Sequence, residues 1–67
     1  MNRRMMSVKL MADIQPFTQL GCLSASQARD LVEDWKHGES SKLKALVLDP
    51  SLPSSLTPLL DNLKQYI

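Results

Sequence analysis

The stretch SASQARDLVEDWKHG, residues 24–38, carries the clearest helix signals in the chain and decides the fold class. Ser24 is a favourable N-cap residue, and Gln27 stands three residues later, which is the spacing of a capping box. Apolar residues then recur at three- and four-residue steps, while charged residues occupy the other side. The apolar set, expected to face the core, is Ala25, Ala28, Leu31, Val32 and Trp35. Because Gly38 can adopt a left-handed cap, the sequence predicts a helix over residues 25–37.

Downstream of this helix, the stretch ESSKLKALVLDP predicts a second, shorter helix that Pro50 stops. Ser40 or Ser41 would cap its start. Residues 42–48 also alternate in the manner of a short strand, and periodicity alone does not separate the two. We favour a helix because the chain offers no second strand to pair with this segment.

The C-terminal stretch combines prolines with a leucine stripe. Pro53 and Pro58 allow a helix to begin only around Ser55 or Thr57, which predicts a helix over about 56–66. Residues 49–54 are then expected to form a rigid turn. At helical spacing the apolar residues of this segment form one continuous stripe. Its members are Leu52, Leu56, Leu59, Leu60, Leu63, Tyr66 and Ile67.

The N-terminal part of the chain has weaker patterning. On a helical wheel, the apolar side chains in the segment 1–12 spread around the axis and form no single stripe, so we expect a flexible arm there. Pro16 disfavours helix at Gln15 unless it lies in a first turn opened by Asp13, so we expect only a short helical segment over about 14–20 that Gly21 ends. The predicted fold is therefore all-α, a small three-helix bundle or helical hairpin with a mobile N-terminal arm, with residues 13–67 as its single domain.

Composition limits the functional classes. A net charge of +1 is too small to create a strong field for nucleic acid or anionic lipid. A single cysteine allows neither an internal disulfide nor a cysteine-based zinc site, which favours a reducing compartment, and we expect a cytoplasmic location. No stretch approaches the roughly 20 apolar residues of a membrane span.

Residues that could perform catalysis are few and unsupported by their surroundings. Cys22 and His37 are the single candidate nucleophile and base, and neither lies in a cysteine-enzyme signature. Two glycines cannot build a phosphate loop, and no residue set has metal-ligand spacing. We therefore expect no catalytic, cofactor-binding or metal-binding residue. The acidic group Asp30, Glu33 and Asp34 is best interpreted as a solvated face, with docking of a basic partner as the alternative.

The remaining interpretation is a small non-enzymatic protein-protein interaction module, such as an adaptor, regulator or chaperone-like subunit. Its partner would be another protein or a second copy of itself, bound through the C-terminal stripe. The predicted partner-binding residues are Leu56, Leu59, Leu60, Leu63, Tyr66 and Ile67. The alternative is a helix-turn-helix nucleic-acid binder that would use Ser40, Ser41, Lys42 and Lys44; near-neutral charge makes it less favoured.

Overall fold

A computed structural model describes residues 2–67 of the chain, and within that range it contains helices and no strand. The prediction of an all-α fold is confirmed, and the segment that could also have been a strand is helical. The α-helices are α1 (Arg3–Gln19), α2 (Ala25–Lys36), α3 (Ser41–Val47) and α4 (Thr57–Leu63). Single 3-10 turns, Ser54–Leu56 and Lys64–Tyr66, lie on either side of α4.

The first helix corrects the expected N-terminal arm. Asn2 caps α1, since its side-chain oxygen accepts hydrogen bonds from the backbone N–H groups of Arg4 at 3.0 Å and Met5 at 3.3 Å. The helix then runs through the expected boundary between residues 12 and 13 without a break. Its fully buried residues lie one turn apart and anchor it in the core; they are Leu10, Ile14 and Phe17. For residues 3–12 the arm prediction was wrong, and Met1 lies outside the described residues.

Pro16 lies deep inside α1, whereas the sequence pattern placed it in a first turn. Proline has no N–H to donate, so the carbonyl of Ala12 loses its helical partner. Ala12 is exposed, so water can satisfy that carbonyl. Gly21, with a φ of 81°, follows the helix as expected. Burial of the α1 core residues therefore outweighs the local penalty of the proline.

The second helix matches its prediction closely. Its capping box is complete, because the Gln27 N–H donates to the Ser24 hydroxyl at 3.1 Å and the Ser24 N–H donates to the Gln27 side chain at 2.8 Å. The helix ends at Lys36, one residue earlier than predicted, and Gly38 follows with a φ of 94°. Ala28, Leu31, Val32 and Trp35 are buried as expected, whereas Ala25, which was also expected to face the core, is exposed in the first turn.

The C-terminal segment begins differently from the prediction. Pro58 lies in the first turn of α4, as its missing N–H requires. Neither Ser55 nor Thr57 caps the helix through its side chain; the N-cap position is Leu56. The Thr57 hydroxyl instead donates to the Ser54 carbonyl at 2.7 Å, which stabilises the preceding 3-10 turn.

The core is centred on Trp35 of α2, which is fully buried. The Arg3 guanidinium lies over the Trp35 ring at 4.8 Å and donates to the Trp35 carbonyl at 2.8 Å, so α1 and α2 run antiparallel. The indole N–H donates to the Tyr66 carbonyl at 2.8 Å, and the two rings meet edge to face at 5.5 Å. The Tyr66 hydroxyl donates to Asp13 at 2.5 Å. Trp35 and Tyr66 therefore join the C-terminus to α1 and α2.

Candidate functional site

The predicted partner-binding stripe lies largely inside the fold. Three of its residues are buried in the core, with exposed fractions of 8%, 0% and 2% respectively: Leu56, Leu63 and Tyr66. In this fold they have no surface to offer a partner. Leu59 and Leu60 are half-buried against the core, and Ile67 is 53% exposed. A partner-binding role stays a prediction for these last three residues alone.

A concave surface lies instead between α2 and α3; we name it the α2–α3 groove, and its volume is about 420 Å³. Residues at three- and four-residue steps on the two helices face each other across it. Leu31 from α2 and Leu46 from α3 form an apolar floor. The complete lining is Cys22, Leu23, Gln27, Asp30, Leu31, Lys42, Ala45, Leu46 and Asp49.

The rim of the α2–α3 groove is acidic. Lys42 donates to Asp34 at 2.5 Å, and this hydrogen bond raises the pKa of the Lys42 ammonium while neutralising its charge locally. Hydrogen bonds from the Ser51 hydroxyl and N–H lower the pKa of Asp49, which keeps that carboxylate ionised. Asp30 makes no ion pair with any residue in the range 2–67. Lys42 also attracts Asp30 electrostatically, but one lysine against Asp30, Asp34 and Asp49 leaves the groove with a net negative charge.

The structure keeps the candidate nucleophile and base apart. Cys22 is half-buried at one end of the α2–α3 groove, before α2 begins. His37 follows the other end of α2 and bonds to Glu33 at 3.1 Å. Because the 12 residues of α2 span roughly 18 Å, the thiol and the imidazole are far beyond hydrogen-bond reach. Among the described residues, no three His, Cys, Asp or Glu side chains are grouped to hold a metal ion.

Comparisons with protein-family models, with curated proteins and with solved structures find no match for this chain. Along residues 2–67, no helix combines the length and the hydropathy needed to cross a lipid bilayer. The function is therefore argued from the surface of the molecule itself.

The residues of the proposed nucleic-acid-binding helix are only partly available. In α3, Leu43 and Leu46 are buried in the core, so neither can contact a DNA groove. Lys42 is engaged by Asp34, whereas Lys44 is exposed. This arrangement leaves one free lysine side chain on α3 for a phosphate backbone.

The residues of the α2–α3 groove were not predicted as a set. Docking of a basic partner was the alternative interpretation of the acidic group Asp30, Glu33 and Asp34, and Asp30 is on the groove rim. A usable signal was the matched spacing of Lys42, Ala45 and Asp49, which places them on one face of α3 and of the two residues that follow it. Which helix that face opposes could not be deduced from the spacing.

Proposed function

We propose that this chain is a small, non-enzymatic protein-protein interaction module, acting as an adaptor or regulator in the cytoplasm. Its α2–α3 groove binds an apolar, positively charged segment of another protein. The observation that carries the proposal is the combination of a leucine floor with an acidic rim in the α2–α3 groove. The single free cysteine suits the reducing environment of this compartment.

The floor supplies the apolar part of the binding energy. Leu31 and Leu46 are 3% and 7% exposed, so they close the bottom of the groove. The apolar surface that a partner can cover belongs mainly to the half-buried Cys22 and Leu23 and to the exposed Ala45. Ala45 is exposed and small, which leaves room above the floor for an inserted side chain. A leucine-sized group that fills this space contributes about 1.5–3 kcal/mol.

The rim supplies the preference for charge. A lysine or arginine of the partner can lay its apolar stem along the half-buried Leu23 and place its cationic group beside Asp30 or Asp49. The same carboxylates repel an acidic segment. The acidic rim therefore raises the association rate and selects the partner, whereas the floor provides most of the affinity.

Filling the α2–α3 groove tests the proposal directly. Ala45→Arg places a long cationic side chain in the groove and should weaken binding of a partner purified with this protein from its own cells by at least about tenfold. Asn62→Arg is the matched control, because Asn62 is exposed on α4 and the charge change is identical. Circular dichroism establishes that both variants remain folded. A partner that binds the Ala45 variant and the parent equally tightly would refute this site.

Nucleic-acid binding is the second candidate. It is favoured by the short turn, residues 37–40, that links α2 to α3 and by the exposed Lys44. The double variant Lys42→Glu with Lys44→Glu should then lower a salt-sensitive affinity for duplex DNA. Absence of DNA binding by the parent protein at low salt would eliminate this candidate.

A further inference from the structure

The outer side of α1 presents a second apolar surface that the proposed function does not use. Met5, Val8 and Met11 are 74%, 75% and 38% exposed, although the opposite side of the same helix is buried in the core. Val8 and Met11 continue into a groove between α1 and α2 with a volume of about 320 Å³, which we name the α1–α2 groove. Its complete lining is Ser7, Val8, Met11, Arg29, Val32, Glu33 and Lys36.

The free charges of the α1–α2 groove are positive. Its one carboxylate, Glu33, is held by Lys36 and His37 at 3.1 Å each, and these contacts lower the pKa of Glu33. Arg29 is exposed and forms no ion pair among residues 2–67. Arg4, one helical turn before Val8, is also exposed and forms no ion pair among residues 2–67. One available guanidinium group, that of Arg29, therefore lines this groove, and a second, that of Arg4, lies one turn beyond it on α1.

These two arginines lie near opposite ends of the apolar strip. Arg4, Val8 and Met11 share one side of α1 because they are four and three residues apart. Arg29 is in the first half of α2, and since α1 and α2 are antiparallel it lies beside the second half of α1. The seven residue steps from Arg4 to Met11 span roughly 10 Å, or two helical turns.

We infer that the α1–α2 groove binds an acidic amphipathic helix of a partner protein. Such a helix would carry two carboxylates two turns apart, with apolar residues between them. Each carboxylate can accept two hydrogen bonds from one guanidinium, and the apolar residues cover Val8 and Met11. Because this groove and the α2–α3 groove have opposite charge, they select different segments, and neither inference depends on the other.

Charge complementarity and shape both favour a helix over a lipid surface. Anionic lipid would also attract Arg4 and Arg29, but helices that lie in a bilayer interface insert a wide apolar face rich in Trp, Phe or Leu. Here the strip consists of methionine and valine, and Val32 forms part of a recessed floor. Exposed methionines adapt well to the irregular surface of a partner helix.

A designed helical peptide tests the inference on the full chain. The peptide carries Glu at one position and seven residues later, with Leu at the third and fourth positions after the first Glu; its control has Gln in place of both Glu residues. Fluorescence anisotropy should show about tenfold weaker binding of the Gln peptide, and added salt should reduce the difference. The double variant Arg4→Gln with Arg29→Gln should weaken binding of the Glu peptide to a similar extent.

A matched charge control separates a local site from general attraction. Lys44→Gln with Lys64→Gln removes two positive charges from exposed positions on α3 and after α4, and should leave binding of the Glu peptide within about twofold. Equal loss in both double variants would overturn the inference, as would equal binding of the two peptides. Binding of the parent protein to phosphatidylserine vesicles without binding of the peptide would also overturn it and assign the strip to membranes. Ala45→Arg fills the α2–α3 groove and should leave binding of the Glu peptide unchanged. Failure of the proposed function can therefore be distinguished from failure of this inference.

Discussion

Removing the hydroxyl of Tyr66 tests how the C-terminus is held against the rest of the fold. Tyr66→Phe deletes the hydrogen bond to Asp13 at 2.5 Å. It retains the edge-to-face contact with Trp35 and the bond from the indole N–H to the backbone carbonyl of residue 66. The substitution therefore isolates one hydrogen bond between the last turn of the chain and α1.

The magnitude follows from the surroundings of that bond. Hydrogen bonds to a charged group contribute about 1.5–3 kcal/mol when both partners are buried. Tyr66 is 2% exposed but Asp13 is half-buried, so water can rehydrate the carboxylate in the variant. We therefore expect the lower end of the range, a loss of about 1.5 kcal/mol in the free energy of unfolding at pH 7. That is a large share of the roughly 3–10 kcal/mol expected for a chain of this length.

The pH dependence provides a more specific signature. Burial, followed by the hydrogen bond to Asp13, raises the pKa of Tyr66 above its ordinary value. Above pH ~10 an unfolded tyrosine releases its proton while the folded one keeps it, so the unfolded state binds fewer protons and stability falls as pH rises. The slope reaches about 1.4 kcal/mol per pH unit, and the Phe variant lacks this contribution. The advantage of the parent should therefore shrink towards zero near pH ~11.

Urea unfolding followed by the fluorescence of Trp35, the single tryptophan, measures both quantities. The two proteins should be compared at pH 7, 9, 10 and 11. The lysines also titrate in this range, but they are identical in the two proteins and cancel in the difference. An unchanged stability at pH 7, or a difference between the proteins that stays constant up to pH 11, would refute the reasoning.

Three further predictions use the same urea assay. Arg3→Gln should lower the free energy of unfolding by about 1–2 kcal/mol because it loses both contacts with Trp35, whereas Arg4→Gln should change it by less than about 0.5 kcal/mol; equal effects would contradict the ordered α1. Pro16→Ala should raise stability by about 1–2 kcal/mol, since it restores a helical N–H, and a loss would show that the proline fits its position. Gly38→Ala should cost about 1 kcal/mol because its φ of 94° disfavours a side chain, and an unchanged midpoint would argue against that conformation.

The candidate surfaces show where sequence reasoning succeeded in part. Acidic residues of α2 indicated a possible docking site for a basic partner, and Asp30 does lie on the rim of the α2–α3 groove. Asp49 joins it only because α3 packs beside α2. The arginines at the α1–α2 groove are likewise brought together from two helices, Arg4 from α1 and Arg29 from α2. A groove between helices depends on distant residues, so no local pattern could specify it.

The sequence by itself determined the features whose causes are local. The capping box at Ser24, the left-handed Gly38 and the ion pair between Asp61 and Lys64, at 3.0 Å, each depend on residues a few positions apart. The buried face of α2 followed from periodicity for the same reason.

Tertiary structure decided the two ends of the chain. Pro16 argued locally against a long first helix, but burial of Ile14 and Phe17 on either side of it outweighs that cost. At the C-terminus, a leucine stripe has the same pattern whether it faces a core or a partner. Trp35 determines that this stripe faces the core, because its ring packs against the Tyr66 ring and its indole N–H donates to the Tyr66 carbonyl. A sequence pattern shows that a face is apolar, whereas only packing shows what covers it.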